Sequence, residues 1–309
     1  MKPYPSPHAA LADAMKLAEG MTYKYAVPGF PRGGGKSVIC VPGDLDPERR
    51  SGLLLRYGEL LQRLGGYFQT GPDVGTSPED MDTIAQTGAP HVFCRTPAAG
   101  GAGSSGPLTA LGVFTGIQVA CEHLFQSPSL SGRRVLVQGL GSVGETLVEH
   151  LRGAGADVLI SEIDERIIQR YRDEPGMEFV PAEDVYTTRC DVYSPCALGG
   201  VLNHDTIPRL DCRIIAGGAN NQLARSEDIE TLRARHILYV PDYVVNVGGA
   251  MGITGMEAMG WSPTEAEKEV TDGVRNALRR ILELAAADDI STETAARRIA
   301  EKHLSSGVG

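Results

Sequence analysis

Positive charge is in short supply in this chain. Its 29 Lys and Arg against 39 Asp and Glu leave a formal net charge of −10. With no basic field to neutralise phosphates, it is not a general nucleic-acid binder. Long apolar runs are missing too. No stretch reaches the roughly 18 consecutive apolar residues that read as a membrane helix, and the opening MKPYPSPHAALADAMK has no apolar signal core. The expected address is therefore the cytoplasm, with no membrane partner. Cysteine is sparse and scattered: Cys40, Cys94, Cys121, Cys190, Cys196 and Cys212 form no CxxC and no metal-ligand spacing. No metal is expected, and the thiols are expected to be reduced and buried in apolar runs such as SVICV around Cys40 and SPCAL around Cys196. Internal repeats and low-complexity segments are also absent.

The chain does contain ample core material, at 42% hydrophobic, with 38 glycines and 19 prolines spread among short connections. A length of 309 residues at about 150 per domain suggests two domains. Residues 6–20 read as an amphipathic helix. Residues 36–42 (KSVICVP) read as a short strand after a Gly-rich turn. Residues 47–64 carry apolar positions at helical spacing and stop at Gly65-Gly66, and Ser77-Pro78-Glu79-Asp80 starts another helix with an N-cap, a proline at N1 and acids in the first turn. The Gly/Ser/Ala-rich residues 100–107 form a loop before a long apolar helix over 108–125, and the domain junction is placed there. The expected division is a first domain over 1–108, a second over 109–285, and a C-terminal helix over 286–309 that packs back on the first.

From Gly132 onward the pattern alternates. Strands are expected at 134–138, 157–162, 192–193, 213–216 and 237–240, helices at 143–152 and 165–172, and two closing helices at 262–287 and 291–304. Strands alternating with helices specify an α/β fold with a parallel, doubly wound sheet of Rossmann type.

One local motif stands out: VLVQGLGSVGETLVEHL, with Gly139, Gly141 and Gly144 in GxGxxG spacing between a strand and a helix. The spacing alone is common, and its place in the fold makes it specific. Gly139 permits the tight turn, Gly141 lets the backbone approach a pyrophosphate, and Gly144 lets the helix lie close to the sheet. Ser142 and Val143 open the helix whose free N–H groups face the phosphates. Glu162 follows Gly139 by 23 residues, where an acid accepts hydrogen bonds from the adenosine ribose and repels a 2′-phosphate. The cofactor is therefore read as NAD rather than NADP. Asp164, two residues after Glu162, either shares that job or, as its ordinary role, caps the next helix.

Two lysines and an acid precede that motif. Lys24 follows the first predicted helix, and Lys36 follows Gly33-Gly34-Gly35. Three glycines allow a tight bend that holds a lysine stem in a confined place. A lysine in a dry cleft can serve acid–base chemistry, and a charged one can bind a carboxylate. Taken alone, such lysines more often sit solvated on a surface. A phosphate loop is excluded, because Phe30 stands where the first glycine of GxxxxGK[ST] would be. Asp73, in TGPDVGT, is either an acid pointed into a cleft or an Asx-turn residue that only holds its loop. His204 and His236 read as surface or capping histidines, which disfavours a hydroxy-acid dehydrogenase.

The segments MTYK…GGGK, TGPDVGT, GGAGSS, VLVQGLGSVG, SPCALGGVL, AGGANNQLA and PDYVVNVGGA occur in that order. In this, the chain resembles the glutamate/leucine/phenylalanine/valine dehydrogenase family, in particular the branch acting on apolar amino acids. The resemblance implies NAD-dependent oxidative deamination of an apolar L-amino acid (Phe, Leu or Val) to a 2-oxo acid and ammonia, the reverse amination, and a homo-oligomer. It implies that Lys24 binds the substrate carboxylate, Lys36 activates water and stabilises charge on the imine and carbinolamine, and Asp73 relays protons to and from the amino nitrogen. It further implies that Thr109 holds the nicotinamide amide and that Asn220 and Asn246 lie near the nicotinamide ribose and the substrate. Ala250 and Ile253 would help line the side-chain pocket, where the small Ala250 leans towards a large side chain such as phenylalanine. The phrases GGGKSVI and GPDV resemble phenylalanine-type members, whereas FQSPSLSGR and RRIAEK resemble valine-type ones, so aromatic and branched-chain substrates both stand.

Family members carry a further segment ahead of the residues that Met1-Lys2-Pro3-Tyr4 resemble, with a Gly-Gly-x-Arg contact to substrate. The first domain is accordingly expected to be incomplete at its N-terminus. The alternative expectation is a catalytically impaired NAD-binding homologue.

Overall fold

The computed structural model describes residues 1–43, 45–171, 174 and 176–306. Its centre is a six-stranded sheet in the order β3-β2-β1-β4-β5-β6, every pairing parallel. The strands are β1 (Arg134–Gln138), β2 (Asp157–Ser161), β3 (Met177–Phe179), β4 (Val192–Pro195), β5 (Ile214–Ile215) and β6 (Leu238–Tyr239). Helices cover both faces, which is why β1 is apolar through its middle rather than alternating. Val135 and Val137 enter one core together with Val158, Ile160 and Val192. Leu136 enters the other with Leu159, Tyr193 and Ile215. Chain order reverses between β1 and β4, and such a switch point opens a crevice beyond the carboxyl ends of the strands.

The helices are α1 (Pro7–Ala26), α2 (Pro47–Arg63), α3 (Pro78–Gly88), α4 (Gly106–Phe125), α5 (Ser142–Gly153), α6 (Glu165–Tyr171), α7 (Asp228–Ala234), α8 (Asp242–Val245), α9 (Val247–Ala258), α10 (Pro263–Asp288) and α11 (Thr292–Ser305). Starts follow the capping signals. The Ser6, Asp46, Ser77, Ser262 and Ser291 side chains each accept a backbone N–H, and Ser77/Asp80 and Ser262/Glu265 complete capping boxes. Asp164 caps the start of α6, its carboxylate accepting Arg166 N–H at 3.0 Å. Arg172, the last residue of the helix expected over 165–172, lies outside the described residues.

Three expectations change. Helix α1 does not stop at Gly20 but runs to Ala26, because Tyr25, Ala26 and the following Val27 join the main core and that burial outweighs the roughly 1 kcal/mol cost of a helical glycine. Residues 36–42 do not form a strand. Only the Lys2↔Cys40 bridge forms there, and a strand exists only where a neighbour takes up its N–H and C=O groups. Cys40 is exposed rather than buried, and Cys196 is intermediate, while the other four thiols are buried and all six are free. Strand β3, which the sequence reading did not mark, is a three-residue edge whose burial is slight.

Helices α2 and α3 have a small core of their own, of Leu54, Leu61, Met81, Ile84 and Val92. A Thr70↔Val92 bridge lies beside it and ties the loop that carries Asp73 to this unit. Helix α11 packs against α10 and α1. Helix α4 is long and apolar enough to cross a membrane by length and composition, but it is enclosed by α5, α9 and α10. The PDYVVNVGGA segment lies directly against it. A Cβ on Gly248 would lie 2.1 Å from Leu108 O, and one on Gly249 2.3 Å from Thr109 Oγ1. The paired glycines of that motif thus bring α9 onto α4.

Candidate active site

The dinucleotide turn is built as its spacing demands. Gly139 has φ +95°, and a Cβ there would lie 2.6 Å from Ala197 Cβ. A Cβ on Gly144 would lie 1.9 Å from Gly139 O, so these two positions require glycine for close approach. Gly141 differs: nothing lies within 4 Å of its missing Cβ, which leaves open space at the entrance of α5. Gly141 is the N-cap of that helix and gives it no side-chain hydrogen bond, so the N–H groups of Ser142 and Val143 remain available to an anion.

Glu162 lies at the end of β2. Its carboxylate accepts Leu140 N–H at 2.7 Å, Ile163 N–H at 2.7 Å and Asp164 N–H at 3.1 Å. Burial pushes its pKa up, but these three backbone donors outweigh it and hold the group below the usual carboxylate value. An ionised acid locked beside the glycine turn, an open Gly141 and an uncapped helix start fit a dinucleotide with a free ribose 2′-hydroxyl.

The structure also brings together residues far apart in sequence. The Lys36 ammonium forms an ion pair with the Asp73 carboxylate. Asp73 sits in a turn closed by Thr76: Asp73 N–H donates to Thr76 Oγ1 at 2.9 Å, Thr76 N–H donates to Asp73 O at 2.9 Å, and Gly75 follows with φ +78°. Asp73 Oδ1 accepts Val74 N–H at 2.7 Å, a contact with the next residue rather than the Asx-turn contact two residues on, and the carboxylate is aimed at Lys36. Burial raises its pKa, but Lys36, Val74 N–H and Lys24 together bring it below the usual value.

Lys24 lies in the last turn of α1 and donates to Asn220 Oδ1 at 3.4 Å. Asn246 Nδ2 donates to the same oxygen at 2.8 Å and to Gly218 O at 3.3 Å. Asn246 Oδ1 is buried with no partner. A buried acceptor without a donor is costly, and it suits a ligand bearing N–H or O–H. Burial is also the first cause that depresses the Lys24 ammonium to a pKa of about 8, with Lys36 adding to the effect and Asp242 and Asp73 opposing it.

Thr109 is buried on the first turns of α4 and donates to Ser105 O at 2.9 Å. Ala250 and Ile253 lie on α9, the former partly and the latter fully buried. His204 is exposed, and His236 takes φ +57° after α7. A cavity of about 520 Å³ between α4, α5 and α10, lined by Leu108, Thr146, His150, Glu267 and Lys268 among others, contains none of the site residues.

Sequence reasoning missed three supports. Asp242, at the start of α8, is 8% exposed and accepts Gln222 N–H at 2.8 Å. Gln222, fully buried, donates to Gly217 O and Ala219 O at 2.8 and 3.0 Å, bracing the loop that carries Asn220. Glu257 on α9 reaches across to the loop before α4, accepting Cys94 N–H at 3.1 Å and Ala102 N–H at 2.7 Å. The same loop touches the dinucleotide turn through Ser104 Oγ and Ser142 Oγ, 3.0 Å apart. The acid of PDYV was a signal that could have been used, because an aspartate inside so apolar a stretch needs a reason.

Comparison with known proteins agrees with this geometry. The family model described as glutamate/leucine/phenylalanine/valine dehydrogenase matches residues 159–306, and that described as the dimerisation domain of these dehydrogenases matches residues 4–89. The chain is 38% identical to a leucine dehydrogenase of Bacillus subtilis over 301 residues, covering 97% of this chain and 81% of that protein. It is 40% identical to a valine dehydrogenase of Streptomyces virginiae, covering 98% and 84%. The crystal structure of L-tryptophan dehydrogenase from Nostoc punctiforme superimposes with a TM-score of 0.84 at 38% identity, over 99% of this chain and 86% of that one. A hetero-hexameric glutamate dehydrogenase from Thermus thermophilus, at 24% identity and a TM-score of 0.79, shares the fold. With the parallel sheet, the glycine turn and these matches together, the chain belongs to the glutamate/leucine/phenylalanine/valine dehydrogenase family and is an NAD-dependent amino-acid dehydrogenase.

Proposed function

We propose that this chain interconverts phenylalanine, leucine or valine with the corresponding 2-oxo acid and ammonia, and that Lys36 and Asp73 carry the proton chemistry. The observation that supports this most is the Lys36–Asp73 ion pair, set beside a second group formed by Lys24, Asn220 and Asn246. NAD, when bound at the glycine turn, supplies the hydride acceptor. The residues supply the rest. Lys24 holds the substrate carboxylate by charge. Asp73 takes a proton from the amino nitrogen so that its lone pair can assist loss of hydride from Cα. Lys36 orients a water against the resulting iminium carbon and, having first released its ammonium proton to solvent, receives the proton of that water. Asn246 Oδ1 would take a hydrogen bond from the amino group or the nicotinamide ribose, with Asn220 beside it, and Thr109 would hold the nicotinamide amide. Ala250 and Ile253 face the side chain, and the small Ala250 favours a large one.

The same reading divides the chain near residue 108. Residues 1–108 carry Lys24, Lys36 and Asp73, residues 109–285 carry the dinucleotide site, and residues 286–309 include α11, which packs on α1. A cleft between two such units can close to exclude water. A homo-oligomer in the cytoplasm completes the reading, supported by the dimerisation-domain match over residues 4–89.

The test is NADH formation at 340 nm with NAD⁺ and L-phenylalanine, L-leucine and L-valine. Activity that falls by about 10²–10⁴-fold in Lys36→Ala, the range for loss of an acid–base group, is the expected result. A folded chain that binds NADH but oxidises none of the three overturns the reading and favours an impaired NAD-binding homologue.

A further inference from the structure

Asp242 poses a question that the mechanism leaves unanswered. It is nearly buried, and a buried carboxylate is costly unless something offsets its charge. Its carboxylate accepts Gln222 N–H at 2.8 Å, and the Tyr243 N–H and the Tyr239 hydroxyl also donate to it. These three donors are neutral dipoles, which ease the burial of a carboxylate but do not balance its charge. The cation that acts on Asp242 through space is Lys24. The two are also joined through structure. Asp242 holds Gln222, Gln222 braces Gly217 and Ala219, and the braced loop places Asn220 Oδ1 against Lys24 and Asn246.

We propose that Asp242 is a positioning residue for capture of the substrate carboxylate: it fixes the loop that places Asn220 beside Lys24, and, with α8 packed on the helix that carries Lys24, it is the buried counter-charge to that ammonium. The proposal rests on the reading of Lys24 as the carboxylate site. The groups facing Lys24 are Asp242 from α8, Lys36 from the glycine-led segment and Asp73 from the turn before α3. Lys36 and Asp73 pair with each other and so largely cancel at a distance, which leaves Asp242 as the uncompensated charge. Removing it disfavours the protonated ammonium, so Lys24 loses its proton at lower pH and the carboxylate loses its partner there.

The experiment compares the unaltered chain with Asp242→Asn and Asp242→Ser, both of which keep an acceptor for Gln222 N–H. KM is measured from pH 7 to pH 10 for whichever of L-phenylalanine, L-leucine and L-valine is oxidised fastest. The expected result is an alkaline rise in KM that begins about one pH unit lower in the variants, giving an about 10-fold higher KM on that limb. Little change is expected in kcat, with NADH affinity preserved to about twofold. An alkaline rise at the same pH in a folded variant overturns the counter-charge role. Competitive acetylation of Lys24 across the same pH range, in NADH-bound protein, reads its titration without turnover. A lower midpoint in the variants supports the proposal, and equal midpoints overturn it. If the unaltered chain oxidises none of the amino acids, the proposed function fails, while the acetylation midpoints still decide the Asp242–Lys24 coupling.

Discussion

Asn246 and Asn220 meet across 26 residues of chain, with the Asn246 amide donating to Asn220 Oδ1 at 2.8 Å while its own Oδ1 stays buried and unpartnered. The donor end is thereby fixed, and the amide can turn only by breaking that bond. Its oxygen is held out for a ligand donor. Asn246→Ala removes the acceptor and frees Asn220. An unpaired polar contact of this kind costs about 1–3 kcal/mol, so kcat/KM should fall about 10–100-fold, measured by NADH formation. Asn246→Asp keeps the acceptor but loses the donor to Asn220 and should also be impaired. Wild-type kinetics in the alanine variant would show that the orphan oxygen has no ligand partner.

The three glycines of the dinucleotide turn should separate experimentally. Gly144→Ala forces a Cβ to within 1.9 Å of Gly139 O, a backbone atom that cannot swing away. It should cost about 1–3 kcal/mol or more as an overpacked site, seen as a lower midpoint in denaturant. Gly141→Ala meets nothing within 4 Å and should leave that midpoint nearly unchanged. Its methyl group nevertheless enters the space where a pyrophosphate would approach, so NADH binding, followed by fluorescence titration, should weaken about tenfold or more. Equal NADH affinity in Gly141→Ala and the unaltered chain would place the phosphates elsewhere.

The parallel half of the molecule was legible because its signals are local. A strand such as VLVQ and a turn such as GLGSVG report their structure within a few residues, and Arg134–Gln138 forms a strand over those residues. Lys36 and Asp73 were legible as candidates, although KSVICVP was not legible as an irregular segment. Its β-branched residues suit a strand, but only Lys2 pairs with it, at Cys40, and pairing is a property of the neighbours. The end of α1 was misread for a similar reason: Gly20 is a local stop signal, and burial of Tyr25 against Phe30, rings 5.3 Å apart, is a tertiary one. Gln222 and Glu257 were invisible because their partners lie 20 residues away for Gln222 and more than 150 for Glu257, and Asp242 showed only as an acid in an apolar stretch, its partner equally distant.

The buried lysine gives a stability prediction with a definite sign. In the unfolded chain Lys24 keeps its ordinary pKa of 10.5, and in the folded chain burial lowers it to about 8. Between those values the unfolded state binds more protons, so this group's contribution makes stability rise as pH increases from about 8 to 10.5, while the full cost of the buried ammonium is felt below pH 8. Lys24→Met removes the charge and keeps the apolar stem. At pH 7 it should stabilise the fold by about 1–2 kcal/mol, a discount on the shift for partial solvent access, while raising KM for the amino acid. That combination of a gain in stability and a loss of function is expected where a charge is buried for a ligand. Urea denaturation at pH 7 and pH 10 is the measurement. A loss of stability in Lys24→Met at both would show that the ammonium is satisfied without substrate.

Glu257 supplies the last test, because it joins three parts of the site at once. Its carboxylate holds Cys94 N–H and Ala102 N–H, and the loop between them leads to Ser104, which touches Ser142 at the start of α5. Cys94 follows Val92, whose bridge to Thr70 anchors the Asp73 turn. The clamp therefore sets both where Asp73 stands and how the loop lies over the dinucleotide turn. Glu257→Ala leaves two backbone donors without a partner, a cost of about 1–3 kcal/mol. Because the loop is the shared element, NADH affinity and kcat should fall together with the denaturation midpoint. Glu257→Gln retains one acceptor oxygen and should show a smaller loss of each. A Glu257→Ala chain that is destabilised but keeps full NADH affinity and kcat would reduce the clamp to a structural tie, with no hold on the geometry of the site.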